Sequence, residues 1–305
     1  MRDMAHVVTA GVDGTPQSAA AARWAAREAV ARNASLRLVH VQVAESALDQ
    51  MVVPDEDDAT RQRAEQLVQA AAVELAARFP GLSLDTRTTV GEPAWVLTEL
   101  SRTSDVVVIG SRGLSSLGGF LVGSVALPTV AHVQCPVVLV RTDTDSPSRD
   151  EALATGPGDQ ADTSRRIVAG VDVRHPCDEL FAFAFEAAQR RSVPLEIRHG
   201  WEPRPYYGAR PMPLAGLALE DLLDERADAL AKMMQPWCEK FPGVEVDARA
   251  VLEQPASLLL RAAENGSLLV VGRRHRPSRF GAHVGPVAHA VMHHSRAPVA
   301  VVPHT

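Results

Sequence analysis

The 305-residue sequence predicts two tandem α/β domains, each a parallel sheet lying between helices in a Rossmann-like arrangement. Three observations predict it. The chain repeats its own landmarks in one order. Within each copy, short β-branched runs alternate with Ala-rich amphipathic stretches. Aromatic residues make up only 4% of the chain while Ala and Val are heavily used, which suits buried parallel strands better than an aromatic-rich sandwich.

The repeat is read directly. VVTAGVD (7–13) returns as RIVAGVD (166–172), and LRLVHV (36–41) as LEIRHGW (195–201). VGEPAWVL (90–97) is answered by VLEQPASLL (251–259), DVVVIGSRG (105–113) by SLLVVGRRH (267–275), and CPVVLVR (135–141) by APVAVVP (297–303). The offset is 159 residues at Asp13/Asp172 and 162 at Gly110/Gly272, so duplication explains the pattern and chance does not. The expected division is 1–142 for the first domain and 165–305 for the second. The stretch 143–164 between them is rich in Asp, Ser, Gly and Pro and is expected to be a flexible linker.

In the first copy, strands are expected at 7–12, 36–41, 84–90, 105–109 and 137–141. Residues 16–32 carry Trp24, Ala25 and Glu28 at helical spacing. Residues 57–79 begin in an acidic run and stop at Phe79-Pro80-Gly81. Glu92-Pro93 opens a further helix and Gly123-Ser124 the last. The second copy follows the same order, with a Pro-rich surface loop expected at 201–216 before a helix over 217–240.

The net charge of −6 argues against nucleic acid as an obligatory partner. Cys135, Cys177 and Cys238 have no disulfide or metal spacing, which fits reduced thiols in the cytoplasm. The N-terminal residues have no signal-peptide anatomy, and no stretch approaches a membrane span.

The sharpest local signal is Gly110-x2-Gly113-x9-Gly123-Ser124, after an apolar run and before a helical pattern over 124–133. Gly110 is expected to turn the chain off its strand. Gly113 lets backbone N–H groups approach an anion. Gly123-Ser124 starts a helix whose free N–H groups and dipole favour phosphate, and Ser124 adds a hydroxyl donor. Chance would produce this spacing in roughly one chain in a hundred of this length. Asp13 ends the first strand, where ligands sit in open parallel sheets, at the switch point next to strand four. It could equally be the N-cap of helix 16–32 or form a turn with Gly14. With the loop beside it, both roles are expected together.

On these motifs the chain resembles the ATP-binding type of universal stress protein, over about residues 5–141 and 165–303. The resemblance implies a five-stranded parallel sheet ordered 3-2-1-4-5 in each half. It implies an adenine nucleotide held by Gly11, Asp13 and Val41 at the base end and by Gly110, Ser111, Arg112, Gly113, Gly123, Ser124 and Val125 at the phosphate end. ATP, with or without Mg, is the implied ligand. The last strands, Val137–Arg141 and 299–302, are implied to meet in an intramolecular pseudo-dimer, and pairing into a homodimer is the further option.

The second copy departs from the motif. Gly170, Asp172, Gly272 and Gly285 are retained, but His275 stands for the second glycine and Pro286 for the hydroxyl residue. Either this site has decayed, or Arg273, Arg274, Arg276 and Arg279 supply the charge that the amides no longer supply. The cluster His283, His289, His293 and His294 lacks the partners of a metal site. His40 and His199 recur at matching strand positions, which favours a packing or hydrogen-bonding role over a catalytic one.

There is no G-x4-G-K-[ST] loop, no G-x-G-x2-G fingerprint and no G-x-S-x-G elbow. The S-G-G-x-D-S loop of related carboxylate-activating folds is replaced by Val12-Asp13-Gly14-Thr15-Pro16. Weak ATPase activity is the most these residues suggest. The expected function is therefore a nucleotide-dependent regulatory or stress-response factor acting on an unidentified protein partner. A slow ATP hydrolase or nucleotidyl-transferring enzyme is one alternative, and an interaction module without nucleotide is another.

Overall fold

Strands of the first half begin wherever β-branched residues cluster, and helices wherever alanines recur at helical spacing. The computed structural model describes residues 6–43, 56–111, 123–142, 166–202, 216–274 and 284–304. The linker 143–164, most of the loop at 201–216, and Arg112, Gly113, His275, Arg276, Arg279 and His283 lie outside the described residues.

The chain forms two units. The first runs β1 (Val7–Gly11), α1 (Pro16–Arg32), β2 (Ser35–Gln42), α2 (Glu56–Arg78), β3 (Leu84–Val90), α3 (Pro93–Leu100), β4 (Val106–Ser111), α4 (Ala126–His132) and β5 (Val137–Arg141). All its strand pairs are parallel, in the order β3-β2-β1-β4-β5. The order reverses between β1 and β4. Right-handed crossovers therefore put α1 and α2 on one face and α3 and α4 on the other, and each pair packs together.

The second unit repeats the plan: β6 (Ile167–Gly170), α5 (Asp178–Arg191), β7 (Leu195–Trp201), α6 (Gly216–Lys240), β8 (Val246–Leu252), α7 (Pro255–Ala262), β9 (Leu268–Arg274), α8 (Pro286–His294) and β10 (Val299–His304). Its strands are also parallel, in the order β8-β7-β6-β9-β10. Counted within each unit, both sheets have the expected order 3-2-1-4-5.

The central strands are apolar on both faces, as helices on both sides require. Val8, Ala10, Leu36, Leu38, Val106, Val107, Val108, Val137 and Val138 are all buried. Helix α2 buries Ala64, Val68, Ala72 and Leu75, one stripe at helical spacing. The helix α1 face is built almost wholly of alanines around Trp24. That lets α1 lie close to the sheet. In the second unit the same layer is aromatic: Phe181 and Phe185 of α5 stack against Trp237 of α6 at 5.9 and 6.0 Å, and Phe185 against Phe241 at 5.4 Å. Pro236 sits inside α6, yet the helix continues to Lys240.

Helix ends follow local chemistry. Thr15 caps α1, Glu92 caps α3 through the N–H groups of Ala94 and Trp95, and Gln254 caps α7. Helices α1 and α5 end at matching residues, Asn33 and Ser192, both left-handed at φ 52° and 51°. Asn tolerates that conformation better than Ser. Ser192→Gly is expected to raise the stability of the second unit by about 0.5–1 kcal/mol, seen as a higher urea midpoint; an unchanged or lower midpoint would contradict this.

Candidate functional site

The switch point lies where β1 and β4, paired through Val8–Val106, Thr9–Val107 and Ala10–Val108, end side by side. β1 proper stops at Gly11. Val12 prolongs it by one bond, donating its N–H to Val39 O at 2.8 Å, and the His40 ring donates from Nδ1 to Val12 O at 2.8 Å. Only a ring nitrogen bearing hydrogen can serve a carbonyl, so Nδ1 is protonated here.

The next residues form a tight, fully bonded turn. Asp13 Oδ1 accepts from the Thr15 N–H at 3.0 Å and from Thr15 Oγ1 at 2.6 Å. Thr15 Oγ1 in turn accepts from Ser18 N–H at 3.2 Å. Ser18 Oγ donates to Thr15 O at 2.9 Å, and the Asp13 N–H reaches Ser18 Oγ at 3.2 Å. Asp13 therefore shapes the turn, at whose apex Gly14 has φ 80°. It is not the helix cap; that residue is Thr15. Asp13 itself is exposed at the mouth of the crevice.

Gly110 differs from its sequence-based reading. It is not at a turn but inside β4, opposite Val140. A Cβ there would lie 2.6–2.8 Å from the backbone of Gln17 and Ser18. Its glycine is required because the first turn of α1 presses on β4. Ser111 closes β4; its hydroxyl is buried and has no hydrogen-bond partner among the described residues. Gly11 is packed against Ile109 and Leu97, and Val41 is half-buried at the end of β2, opposite Thr89.

The last helix also begins later than Gly123-Ser124. Ser124 and Val125 form a turn in which the Ala126 N–H bonds to Gly123 O at 3.0 Å, and α4 starts at Ala126. The difference is a tight entry turn that a capping-type reading of sequence does not separate from the helix itself. Among the described residues no side chain caps the start of α4. A Cβ at Gly123 would meet nothing within 4 Å.

In the second unit the same positions hold other chemistry. Asp172 Oδ1 accepts from the Arg174 N–H at 3.1 Å and Nε at 3.3 Å, and its Oδ2 from His175 Nδ1 at 2.9 Å. Partial burial alone would raise its pKa; the bonds from His175 and Arg174 outweigh that and pull it down to about 2. Helix α5 starts at Asp178, capped weakly by Cys177 Sγ accepting from the Leu180 N–H at 3.3 Å. Gly170 is closed in by Leu259, and Gly272 in β9 faces His304 rather than a helix backbone. Arg273, in the place of Ser111, is buried, and burial works against its charge. Arg274 is half-buried. Gly285 caps α8 and Pro286 is its first residue. His199 repeats the His40 bond, from Nδ1 to Val171 O at 3.0 Å, so the recurring histidines do share a hydrogen-bonding role. Burial lowers the pKa of His199.

His289 and His293 share a face of α8, with ring centroids 4.4 Å apart. Among the described residues no group of three or more potential metal ligands occurs. Nor is any described helix long and apolar enough to cross a membrane.

Strand order and repeat together define a duplicated Rossmann-like α/β protein with its order reversing at β1/β4 in the first unit and at β6/β9 in the second. The model of the universal stress protein family matches residues 4–141 and 163–303, and the chain belongs to that family, with the domain in two tandem copies. A universal stress protein of Mycobacterium tuberculosis is 31% identical over 301 residues, covering 97% of this chain and 96% of its own. One from Mycolicibacterium smegmatis is 30% identical over 301 residues, with the same coverage of both. The crystal structure of a universal stress protein from Archaeoglobus fulgidus superposes with a TM-score of 0.68 at 17% identity, covering 98% of each chain, which bears on the fold alone.

The glycines separate by role. Gly110→Ala is expected to destabilise the first unit by about 2 kcal/mol through its clash with the α1 backbone, whereas Gly123→Ala leaves the urea midpoint within error. Equal effects of the two would refute the packing role of Gly110. The Asp172 bonds contribute stability above the usual carboxylate pKa near 4 and lose it as pH falls toward 2. Asp172→Asn should therefore lower the urea midpoint at pH 6, and the gap to the natural protein should narrow below pH 4. A gap that is independent of pH would show that the ion pairs contribute nothing.

Proposed function

We propose that the first domain (1–142) binds an adenine nucleotide, ATP with or without Mg, and that the protein acts as a cytoplasmic nucleotide-dependent regulatory or stress-response factor. The base end of the site is assigned to Gly11, Asp13 and Val41. The phosphate end is assigned to Ser111, Arg112, Gly113, Gly123, Ser124 and Val125, with Gly110 setting the close approach beneath it.

The observation that carries this reading is the contrast among helix starts. Helices α1 and α3 have their first N–H groups met by side chains, while the start of α4 follows the glycine motif and has no side-chain cap among the described residues. Its counterpart α8 is also uncapped, so the two domains are separated by Asp172 and Arg273 rather than by the helix start. An uncapped helix start favours an anion. The buried Ser111 hydroxyl at the end of β4 is a further donor whose burial without a partner would cost about 1–3 kcal/mol. A regulatory role follows if the nucleotide binds one conformation better than another.

The second domain (165–305) is proposed to bind nucleotide weakly or not at all. Both oxygens of Asp172 are engaged by Arg174 and His175, and the side chain of Arg273 occupies the place of a serine. A base amino group would have to displace those two side chains from the carboxylate.

Titration calorimetry on the full chain tests both statements. The expected result is one tight ATP site per chain, with affinity falling at least tenfold, about 1.4 kcal/mol, in Gly113→Asp while the melting temperature holds. Unchanged affinity in that variant rejects the assigned loop, and two equal sites reject the proposed loss in the second domain.

A further inference from the structure

In a parallel ladder, a carbonyl next to a bonded N–H takes its own bond from the residue two places further along the neighbouring strand. The Val12 N–H bonds to Val39 O. Regular continuation would therefore give Val12 O to the N–H of Val41. The observed donor is instead the ring of His40, at 2.8 Å. In the second unit the Val171 N–H bonds to Arg198 O at 3.0 Å. Its carbonyl takes the ring of His199, at 3.0 Å, in place of the N–H of Gly200. The same substitution of a side-chain donor for a backbone donor thus occurs twice, on strands that differ elsewhere.

We infer that His40 is a positioning residue: its Nδ1–H ends the β1–β2 ladder at Val12, so that the Val41 N–H points into the crevice as a donor for the ligand's base. This deepens, and rests on, the nucleotide reading of the first domain. The side chain and the amide compete for one carbonyl direction. With the imidazole in place, β1 can turn at Asp13 while β2 runs on to Gln42. Without it, the sheet zips one residue further and the Val41 donor is spent on Val12. The bond uses the ring proton present in both the neutral Nδ1–H form and the cation, so it survives protonation of the ring. Asn carries its amide nitrogen on Cγ, as His carries Nδ1, and can place a donor at the same point; Leu cannot.

Two measurements test this in the full chain. Backbone amide exchange at Val41 needs no ligand. It should be fast in the natural protein, slowed at least tenfold in His40→Leu and fast again in His40→Asn, with Gly200 behaving alike in His199→Leu. A Val41 amide already protected in the natural protein overturns the inference. The second measurement compares ATP with inorganic tripolyphosphate. His40→Leu should weaken ATP at least tenfold, leave tripolyphosphate within twofold, and be restored by His40→Asn. Equal loss for both ligands, or no loss for ATP, overturns the role toward the base. Failure of the natural protein to bind ATP would overturn the nucleotide reading and that role with it, while the exchange result would still decide whether the histidine ends the ladder.

Discussion

The segment from Gly11 to Ser18 is held from three directions, and the crevice exists because of it. From β2 come the Val39 carbonyl and the His40 ring, which fix Val12 by both of its backbone polar groups. From within, Asp13, Thr15 and Ser18 bond one another around the left-handed Gly14. From β4, a bare glycine lets the α1 backbone settle within van der Waals reach. Each contact fixes a different degree of freedom: the first the strand end, the second the turn, the third the helix height above the sheet. A carboxylate carried on such a segment has little freedom to wander, which is what preorganisation of a polar group demands.

The duplicate shows which of these constraints is general. The ring-to-carbonyl bond recurs with nearly unchanged geometry, and so does the backbone bond beside it. The turn does not. Replacing Gly14-Thr15-Pro16 by Val173-Arg174-His175 moves the helix start to Asp178 and turns the acid toward the Arg174 guanidinium and the His175 ring. The close approach is also lost, because Gly272 meets the His304 side chain where Gly110 meets a helix. One scaffold therefore supports two arrangements at the same address: Asp13 accepts from Thr15 within its own turn, and Asp172 accepts from Arg174 and His175.

Much of the fold was legible in the sequence. Hydrophobic period and the repeat itself placed the strands and helices, because buried parallel strands must be apolar on both faces and duplicated copies must agree; the strand order came only from the family resemblance. What escaped was chemistry that depends on a neighbour distant in sequence. Nothing local to Gly110 says that Gln17 lies above it, so its glycine read as a turn. Asp13 and Thr15 are both good caps, and only the turn geometry separates the residue that shapes the loop from the one that caps the helix. The entry turn before Ala126 likewise looks helical in sequence. The engagement of Asp172 had a local signal in the Arg-His pair that follows it, but only its hydrogen bonds reveal that both oxygens are taken.

The aromatic layer of the second unit has an optical corollary. Phe181, Phe185, Trp237 and Phe241 form a stack with the Lys240 ammonium 5.1 Å from the indole, whereas the first unit leaves Trp95 in solvent. Aromatic rings stacked at these distances couple and become strongly chiral, whereas an indole standing in solvent does not. The near-ultraviolet dichroism of this protein therefore carries the signature of the second unit's stack, which gives that unit a spectroscopic voice without any label being added.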